Sequence, residues 1–190
     1  MKKTVLLSFL LMTASAISAE NYLISTGKTS LLITAEKGGK PMYQYYGSRI
    51  GQTEIQGIFD AGLALNAETY PAFGVKTANE KAIAVQHNDG NMTLDLAITD
   101  VRQFSENDAD ITEITLKDKV YPFGVKQYFK AYKETDIIST WVEIENQGKK
   151  PVTLHRFASA FFPLHRFQKI GAHLLWQGQV SCCHRYVGQR

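Results

Sequence analysis

Residues 138–157, which read ISTWVEIENQGKKPVTLHRF, decide the fold class of this chain. Over the first seven of these residues, every second side chain is apolar or β-branched, and the side chains between them include Trp141 and Glu143. A period of two is the pattern of a half-buried β-strand. The sequence NQGK at residues 146–149 follows, and Asn and Gly tolerate the positive φ angles of tight turns. The stretch predicts a strand, a turn and a second strand.

Similar patterns recur along the chain, most clearly at residues 92–99, where apolar and polar side chains alternate. The other strand candidates are residues 30–35, 42–46, 81–86, 111–116, 123–132 and 152–160. The sequence NDGN at residues 88–91 predicts a hairpin turn. Residues 51–69 lack a clear period and predict a long loop with a short helical turn near residues 61–66. Short strands at close spacing predict an all-β fold, an antiparallel β-sandwich.

The N-terminus has the layout of a secretory signal peptide. Lys2 and Lys3 precede an apolar run at residues 5–12, and small residues follow. Cleavage after Ala16 or Ala19 fits this layout, so we expect residues 1–19 to be removed and the mature chain to be periplasmic or extracellular. No stretch of 18 apolar residues follows, so the sequence predicts no membrane partner.

The charge balance argues against a nucleic-acid partner. Lys2 and Lys3 leave with the signal peptide, and residues 165–190 hold four basic residues and no acidic one. The remaining body has 15 basic residues against all 18 acidic residues of the chain. A protein that binds phosphate backbones shows a basic stripe, and this body is mildly acidic.

Five aromatic residues are the candidates for carbohydrate contact: Tyr43, Tyr45, Tyr46, Tyr70 and Phe73. Exposed aromatic rings offer flat apolar faces on which a sugar ring stacks. The alternative is that these rings fill the core of the sandwich, where aromatic side chains dominate the buried area. Core packing is the more common fate of such residues.

The carboxylates fall into two groups, with Asp108, Asp110 and Glu113 in one and Glu143 and Glu145 in the other. A glycosidase needs two carboxyls that face each other across a cleft. Residues two apart on a strand share a face, so Glu143 and Glu145 are either neighbours in a site or part of a solvated sheet face. The solvated face is favoured, because carboxylates are rarely buried.

The sequence predicts no metal site and no cofactor. His87 precedes the turn at residues 88–91 and is expected to be a solvent-exposed turn residue, because no second ligand sits at metal spacing. Cys182 and Cys183 are adjacent, which does not match the C-x2-C spacing of a zinc site. No nucleophile elbow, P-loop or zinc-protease motif occurs, so no catalytic residue is assigned.

Four segments taken in order resemble the N-terminal domain of family 36 glycoside hydrolases, the retaining alpha-galactosidases. They are PMYQYYGSRI (residues 41–50), TYPAFG (69–74), AIAVQHNDGNMTLDL (82–96) and residues 121–162. The resemblance covers about residues 21–164. It implies a supersandwich-like β-sandwich, here incomplete at its C-terminal end, that precedes a TIM-type barrel carrying two catalytic aspartates.

A barrel of that kind needs about 250 residues. We therefore expect the barrel and both aspartates to be missing from this chain, and the chain to be inactive alone. The resemblance also implies a galactoside as the carbohydrate partner and a homo-oligomeric state for full-length relatives. Asp60 is the only aspartate of the loop at residues 51–69, which has no arginine, so no sugar contact is assigned there.

The tail differs from the body. LHRF occurs at residues 154–157 and again at 164–167, and both cysteines and three of the five histidines lie in residues 165–190. We expect residues 20–164 to form the sandwich domain. Residues 165–190 do not fit the family, and one hypothesis is a tail that is translated out of frame or otherwise foreign, while the alternative is a genuine but divergent C-terminal extension. For the whole chain, two alternatives to the alpha-galactosidase domain are a stand-alone carbohydrate-binding β-sandwich and a truncated product whose exposed sheet edges favour aggregation.

Overall fold

The computed structural model describes residues 19–74 and 81–162. Residues 1–18 of the predicted signal peptide and the tail at residues 165–190 lie outside these residues. The elements in chain order are β1 (Glu20–Ser25), β2 (Thr29–Ala35), β3 (Met42–Ser48), a 3-10 turn (Gln52–Glu54), α1 (Ile55–Asp60), β4 (Ala67–Glu68), β5 (Ile83–Gln86), β6 (Leu96–Glu106), β7 (Ala109–Asp118), β8 (Phe123–Tyr132), β9 (Ile138–Asn146) and β10 (Thr153–Phe157).

The strands form two antiparallel four-stranded sheets and one two-stranded pair. The first sheet has the order β1-β2-β3-β4, and the second has the order β6-β7-β8-β9. Strand β5 pairs with β10, almost 70 residues further along the chain, with Val85 opposite Leu154. The all-β, antiparallel sandwich that the sequence predicts is confirmed.

The core lies between the sheets, because each sheet presents one apolar face to the other. On β2, Leu31 and Ile33 are fully buried against this core, as the period of two requires. The second sheet contributes Ile114, Leu116, Val125 and Phe129. Ile83 and Val85 of β5 are also fully buried in it, so the two-stranded pair closes the same core.

The outer face of the first sheet is covered by helix α1. Leu32 points away from the main core and is fully buried against Ile55 and Ile58 of the helix. The helix therefore removes from water the apolar surface that alternation leaves on the outer side of β2. Among the described residues, no helix is long and apolar enough to cross a membrane.

A buried hydrogen bond joins the two sides of the sandwich. Thr69 follows β4, and its hydroxyl lies 2.7 Å from the side-chain oxygen of Gln127 on β8, with both residues fully buried. The Gln127 amide also lies 3.5 Å from the Thr69 carbonyl. A buried polar group is stable only when it is hydrogen-bonded, so this contact fixes β8 against the loop after β4.

Several strand predictions hold closely, and β8 spans the predicted residues 123–132. Strands β2, β3, β5 and β7 also occur where the pattern indicates them. Strand β1 was not predicted, and β6 continues to Glu106, well past the predicted end at residue 99. The helical turn lies at Ile55–Asp60, so its prediction near residues 61–66 was wrong.

The predicted hairpin at residues 88–91 does not occur. Gly90 has a φ of 87°, as expected for such a turn, but the strands on either side pair elsewhere. Residues before Leu96 are not a strand, because the Leu94 amide donates to the Phe73 carbonyl and the Asp95 amide donates to the Asp118 carboxylate. The turn instead carries the chain from the β5-β10 pair to the second sheet.

Candidate functional site

Two of the five candidate sugar-contact residues, Tyr43 and Tyr70, are core residues. Tyr43 is 0% exposed and stacks on Phe162 with ring centroids 5.0 Å apart. Tyr70 is 1% exposed, and its hydroxyl donates to the Ala158 carbonyl at 2.9 Å. Burial raises the pKa of both phenols well above the ordinary value. Since neither ring reaches the surface, their assignment as sugar contacts is corrected in favour of the core alternative.

The other three candidates lie in three different places. Tyr45 is on the outer face of β3, where its hydroxyl donates to the Ser48 carbonyl at 2.9 Å and its ring packs beside helix α1. Tyr46 faces the core side and lies 6.2 Å from the Phe162 ring. Phe73 is 43% exposed at the end of the loop after β4. The structure does not bring the five aromatics into one site, and sugar contact stays a prediction for these three.

His87 is buried, so its prediction as an exposed turn residue was wrong. Its ring is stacked on Tyr121 with centroids 3.6 Å apart, because the turn folds back through hydrogen bonds between His87, Gly90 and Asn91. The Tyr121 hydroxyl donates to Asp89 at 2.7 Å. His87 and Tyr121 border a cavity of about 140 Å³.

Within residues 19–74 and 81–162, no cluster of His, Cys, Asp or Glu could hold a metal ion. Cys182 and Cys183 lie outside these ranges.

The carboxylates take two different environments. Glu143 and Glu145 are exposed on the outer face of β9, as the solvated-face alternative states, and Asp108 and Asp110 are also exposed. Glu113 differs, because its side chain is only 6% exposed although it lies on the outer face of β7. Its carboxylate lies 2.6 Å from the Arg102 guanidinium.

These side chains belong to a row that crosses all four strands of the second sheet. Arg102 on β6 opposes Glu113 on β7, Glu113 opposes Tyr128 on β8, and Tyr128 opposes Trp141 on β9. The Tyr128 and Trp141 rings stack with centroids 4.8 Å apart and planes 7° apart. The Tyr128 hydroxyl donates to Glu143 at 3.1 Å. We call these five residues the Trp141 face.

The electrostatics of the Trp141 face follow from partial burial beside charges. Burial raises the pKa of Glu113. The hydrogen bond and the positive charge of Arg102 lower this pKa by more than burial raises it, so the carboxyl stays ionised. Burial and the negative charges of Glu143 and Glu113 raise the pKa of Tyr128. Tyr128 is therefore a neutral hydroxyl that donates to a charged carboxylate.

The sequence analysis missed Tyr128 and Trp141 as candidates, although a signal was present. Trp141 occurs in the polar phase of the alternating strand at residues 138–144, beside Glu143. A tryptophan in that phase is placed on the outer face of the sheet. Tyr128 could be added only with the register of β8 and β9, which the sequence does not show.

Fold and geometry define the chain as a two-sheet β-sandwich domain with an aromatic and charged outer face. The sequence profile described as the Glycosyl hydrolase family 36 N-terminal domain matches residues 39–174, more than half of the chain. The chain therefore belongs to glycosyl hydrolase family 36, through its N-terminal domain. This match runs ten residues beyond residue 164, where the resemblance was expected to end. No curated protein sequence matches the chain.

Solved structures with the same fold are alpha-galactosidases. Structures of variants of AgaA from Geobacillus stearothermophilus, in complex with 1-deoxygalactonojirimycin and with raffinose, match with a TM-score of 0.63 each and identities of 21% and 20%. Each match covers 74% of this chain and 24% of that protein. The alpha-galactosidase from Lactobacillus brevis matches with a TM-score of 0.63 and 16% identity, over 74% of this chain and 23% of that chain. The chain thus spans about a quarter of the length of these proteins, and the likeness shows the fold.

Proposed function

We propose that this chain is the non-catalytic N-terminal domain of a secreted alpha-galactosidase-type glycoside hydrolase, whose catalytic barrel is not in this chain. The observation that carries the proposal is the family match at residues 39–174 together with a two-sheet sandwich whose fold matches about a quarter of solved alpha-galactosidases. In such an enzyme the sandwich supports the barrel, and the reaction belongs to the barrel.

The carboxylates of the described residues support a non-catalytic role. Glu113 is held by Arg102, which lowers the pKa of its carboxyl, so this group carries no proton to donate as a general acid at neutral pH. Glu143 and Glu145 are both exposed and lie side by side on the same face of β9, so the two carboxyls do not face each other across a glycosidic bond. Neither arrangement offers the facing acid pair of a glycosidase.

A fragment-complementation assay tests the supporting role. The Geobacillus stearothermophilus AgaA protein is expressed without its N-terminal sandwich and mixed with this chain. We expect alpha-galactosidase activity to rise above that of the truncated enzyme alone. The enzyme's own N-terminal domain, added in trans, is the positive control. Rescue by that domain and none by this chain would contradict the proposal.

Export is tested separately, by N-terminal sequencing of the chain recovered from the periplasm and the medium of an expressing bacterium. We expect a mature N-terminus immediately after Ala16 or Ala19. An intact Met1 in a cytoplasmic fraction would show that the proposed signal peptide is not processed.

The second candidate function, a carbohydrate-binding β-sandwich, is favoured by one observation. The stacked Tyr128–Trp141 pair lies on an outer sheet face next to the exposed carboxylate of Glu143. Titration with sugars separates the two functions, because a binding domain acts without a barrel.

A further inference from the structure

We propose that the Trp141 face is a binding site for a neutral saccharide, with the indole ring as the stacking surface. The residues are Arg102, Glu113, Tyr128, Trp141 and Glu143, which cross the four strands of the second sheet. The use of galactosides as probes rests on the proposed function, while the site itself rests on the geometry of these side chains.

Among the described residues, Tyr128 is the one aromatic ring stacked on the indole of Trp141. Tyr128 is 9% exposed and covers one side of Trp141, with the two planes 7° apart. Strand β9 is the outermost strand of the second sheet as described, so the other side of the indole faces past the sheet edge. Trp141 is half-buried, and the Tyr128 ring holds it in place. In this proposal, the face of the indole opposite Tyr128 takes the C–H face of a pyranose, which suits a flat apolar ring.

A fixed hydrogen-bond acceptor lies beside that ring. Glu143 is two residues after Trp141 on the same face of β9, and its carboxylate is exposed. The Tyr128 hydroxyl occupies one carboxylate oxygen at 3.1 Å, which leaves the other oxygen to accept from a ligand hydroxyl. Lys126, opposite Glu143 in the register, adds a donor on the same face.

The charge of the face disfavours an anionic ligand. Arg102 lies 2.6 Å from Glu113 and 3.9 Å from Asp100, and the exposed carboxylates of Glu143 and Glu145 lie on the same face of β9. An excess of carboxylates repels an anion, whereas the hydroxyls of a neutral saccharide donate hydrogen bonds to carboxylate oxygens. Charged residues are also depleted at the centres of protein–protein interfaces, which argues against a second copy of the chain on this face.

The test uses the full chain with Trp176→Phe, so that Trp141 is the only remaining tryptophan. Its emission is recorded while raffinose is added, and sucrose, which lacks the galactosyl unit, is the comparison. We expect a saturable change in emission with raffinose. In calorimetry, Trp141→Ala should weaken binding about tenfold or more, which corresponds to roughly 1.4 kcal/mol. Trp141→Tyr should retain part of the affinity.

Two matched controls separate the site from a general effect on the sheet. Phe104→Ala removes another exposed aromatic ring from β6 in the same sheet, and Glu145→Gln removes a neighbouring charge from β9. Both should bind raffinose like the unchanged chain, whereas Glu143→Gln should bind several-fold more weakly.

The outcomes distinguish this proposal from the proposed function. Equal binding of raffinose and sucrose, lost in Trp141→Ala, supports the saccharide site but contradicts a galactoside as its ligand. If the Trp141→Tyr and Trp141→Ala variants are both folded and bind raffinose as tightly as the unchanged chain, the proposed site is wrong. The site is also wrong if neither sugar gives a saturable change in emission. An emission change that depends on protein concentration in the absence of sugar contradicts the site as well, because it indicates self-association at β9.

Discussion

The substitution Gly74→Ala tests the packing of the turn that closes the TYPAFG segment. Gly74 has a φ of 96°, a backbone conformation that residues with a Cβ rarely adopt. A Cβ placed there would also lie 2.6 Å from the Cα of Thr93. The neighbouring atom belongs to the backbone, so it cannot move aside as a flexible side chain would.

The magnitude is the sum of two costs. The left-handed conformation costs about 1–2 kcal/mol for a residue with a Cβ. Overpacking against fixed neighbours costs about 1–3 kcal/mol. Gly74→Ala should therefore lower the free energy of unfolding by about 2–5 kcal/mol, a large part of the roughly 5–15 kcal/mol that stabilises a typical domain.

Urea denaturation followed by circular dichroism measures this change, with two glycines as matched controls. Gly90 has a φ of 87° and nothing within 4 Å of its added Cβ, so Gly90→Ala isolates the conformational cost of about 1–2 kcal/mol. Gly57 lies in helix α1 with open space around it, so Gly57→Ala should stabilise the chain slightly. If Gly74→Ala and Gly90→Ala lower the free energy of unfolding by the same amount, the close approach of Gly74 to the backbone of Thr93 does not contribute to the cost.

Three further substitutions probe the buried polar groups. The Tyr43 hydroxyl is buried without a hydrogen-bond partner among the described residues, so Tyr43→Phe should leave the thermal midpoint unchanged or raise it, and a clear fall would show that the hydroxyl has a partner. Thr69→Val removes the hydroxyl bound to Gln127, and should lower the free energy of unfolding by about 1–3 kcal/mol in urea titrations; a neutral result would contradict the hydrogen bond. Arg102 lowers the pKa of Glu113 in the folded state, so its stabilisation is present above the ordinary carboxyl pKa and is lost as the pH falls through the folded value. The difference in urea midpoint between the unchanged chain and Arg102→Ala should therefore shrink from about pH 7 to about pH 3, and a constant difference would rule out this pair as its cause.

The strands of the sandwich could be predicted from the sequence because alternation of side chains is a local property. Strand β8 is an example, since the predicted residues 123–132 are those of the strand. The pairing of strands is not local. Strand β5 is followed by a turn typical of a hairpin, yet it pairs with β10, and in that arrangement the apolar residues Ile83 and Val85 are fully buried.

The candidate site could be predicted only in part, because nearness in sequence does not place side chains on one face. Tyr45 and Tyr46 are adjacent and therefore point to opposite sides of β3, and Tyr43 is buried among core rings. Tyr128 and Trp141 are 13 residues apart and become neighbours only through the register of β8 with β9. The buried, paired state of Glu113 likewise depends on Arg102 of a different strand.

The most direct test of the central claim is an assay of alpha-galactoside hydrolysis by the purified full chain. The chromogenic substrate p-nitrophenyl alpha-galactoside is incubated with the folded chain, with a complete family 36 alpha-galactosidase as the positive control. The account predicts no release of p-nitrophenol above the buffer rate, because the described residues contain no facing pair of catalytic carboxyls. Turnover that disappears in Glu113→Gln or Glu143→Gln would contradict it and would make this sandwich a catalyst in its own right.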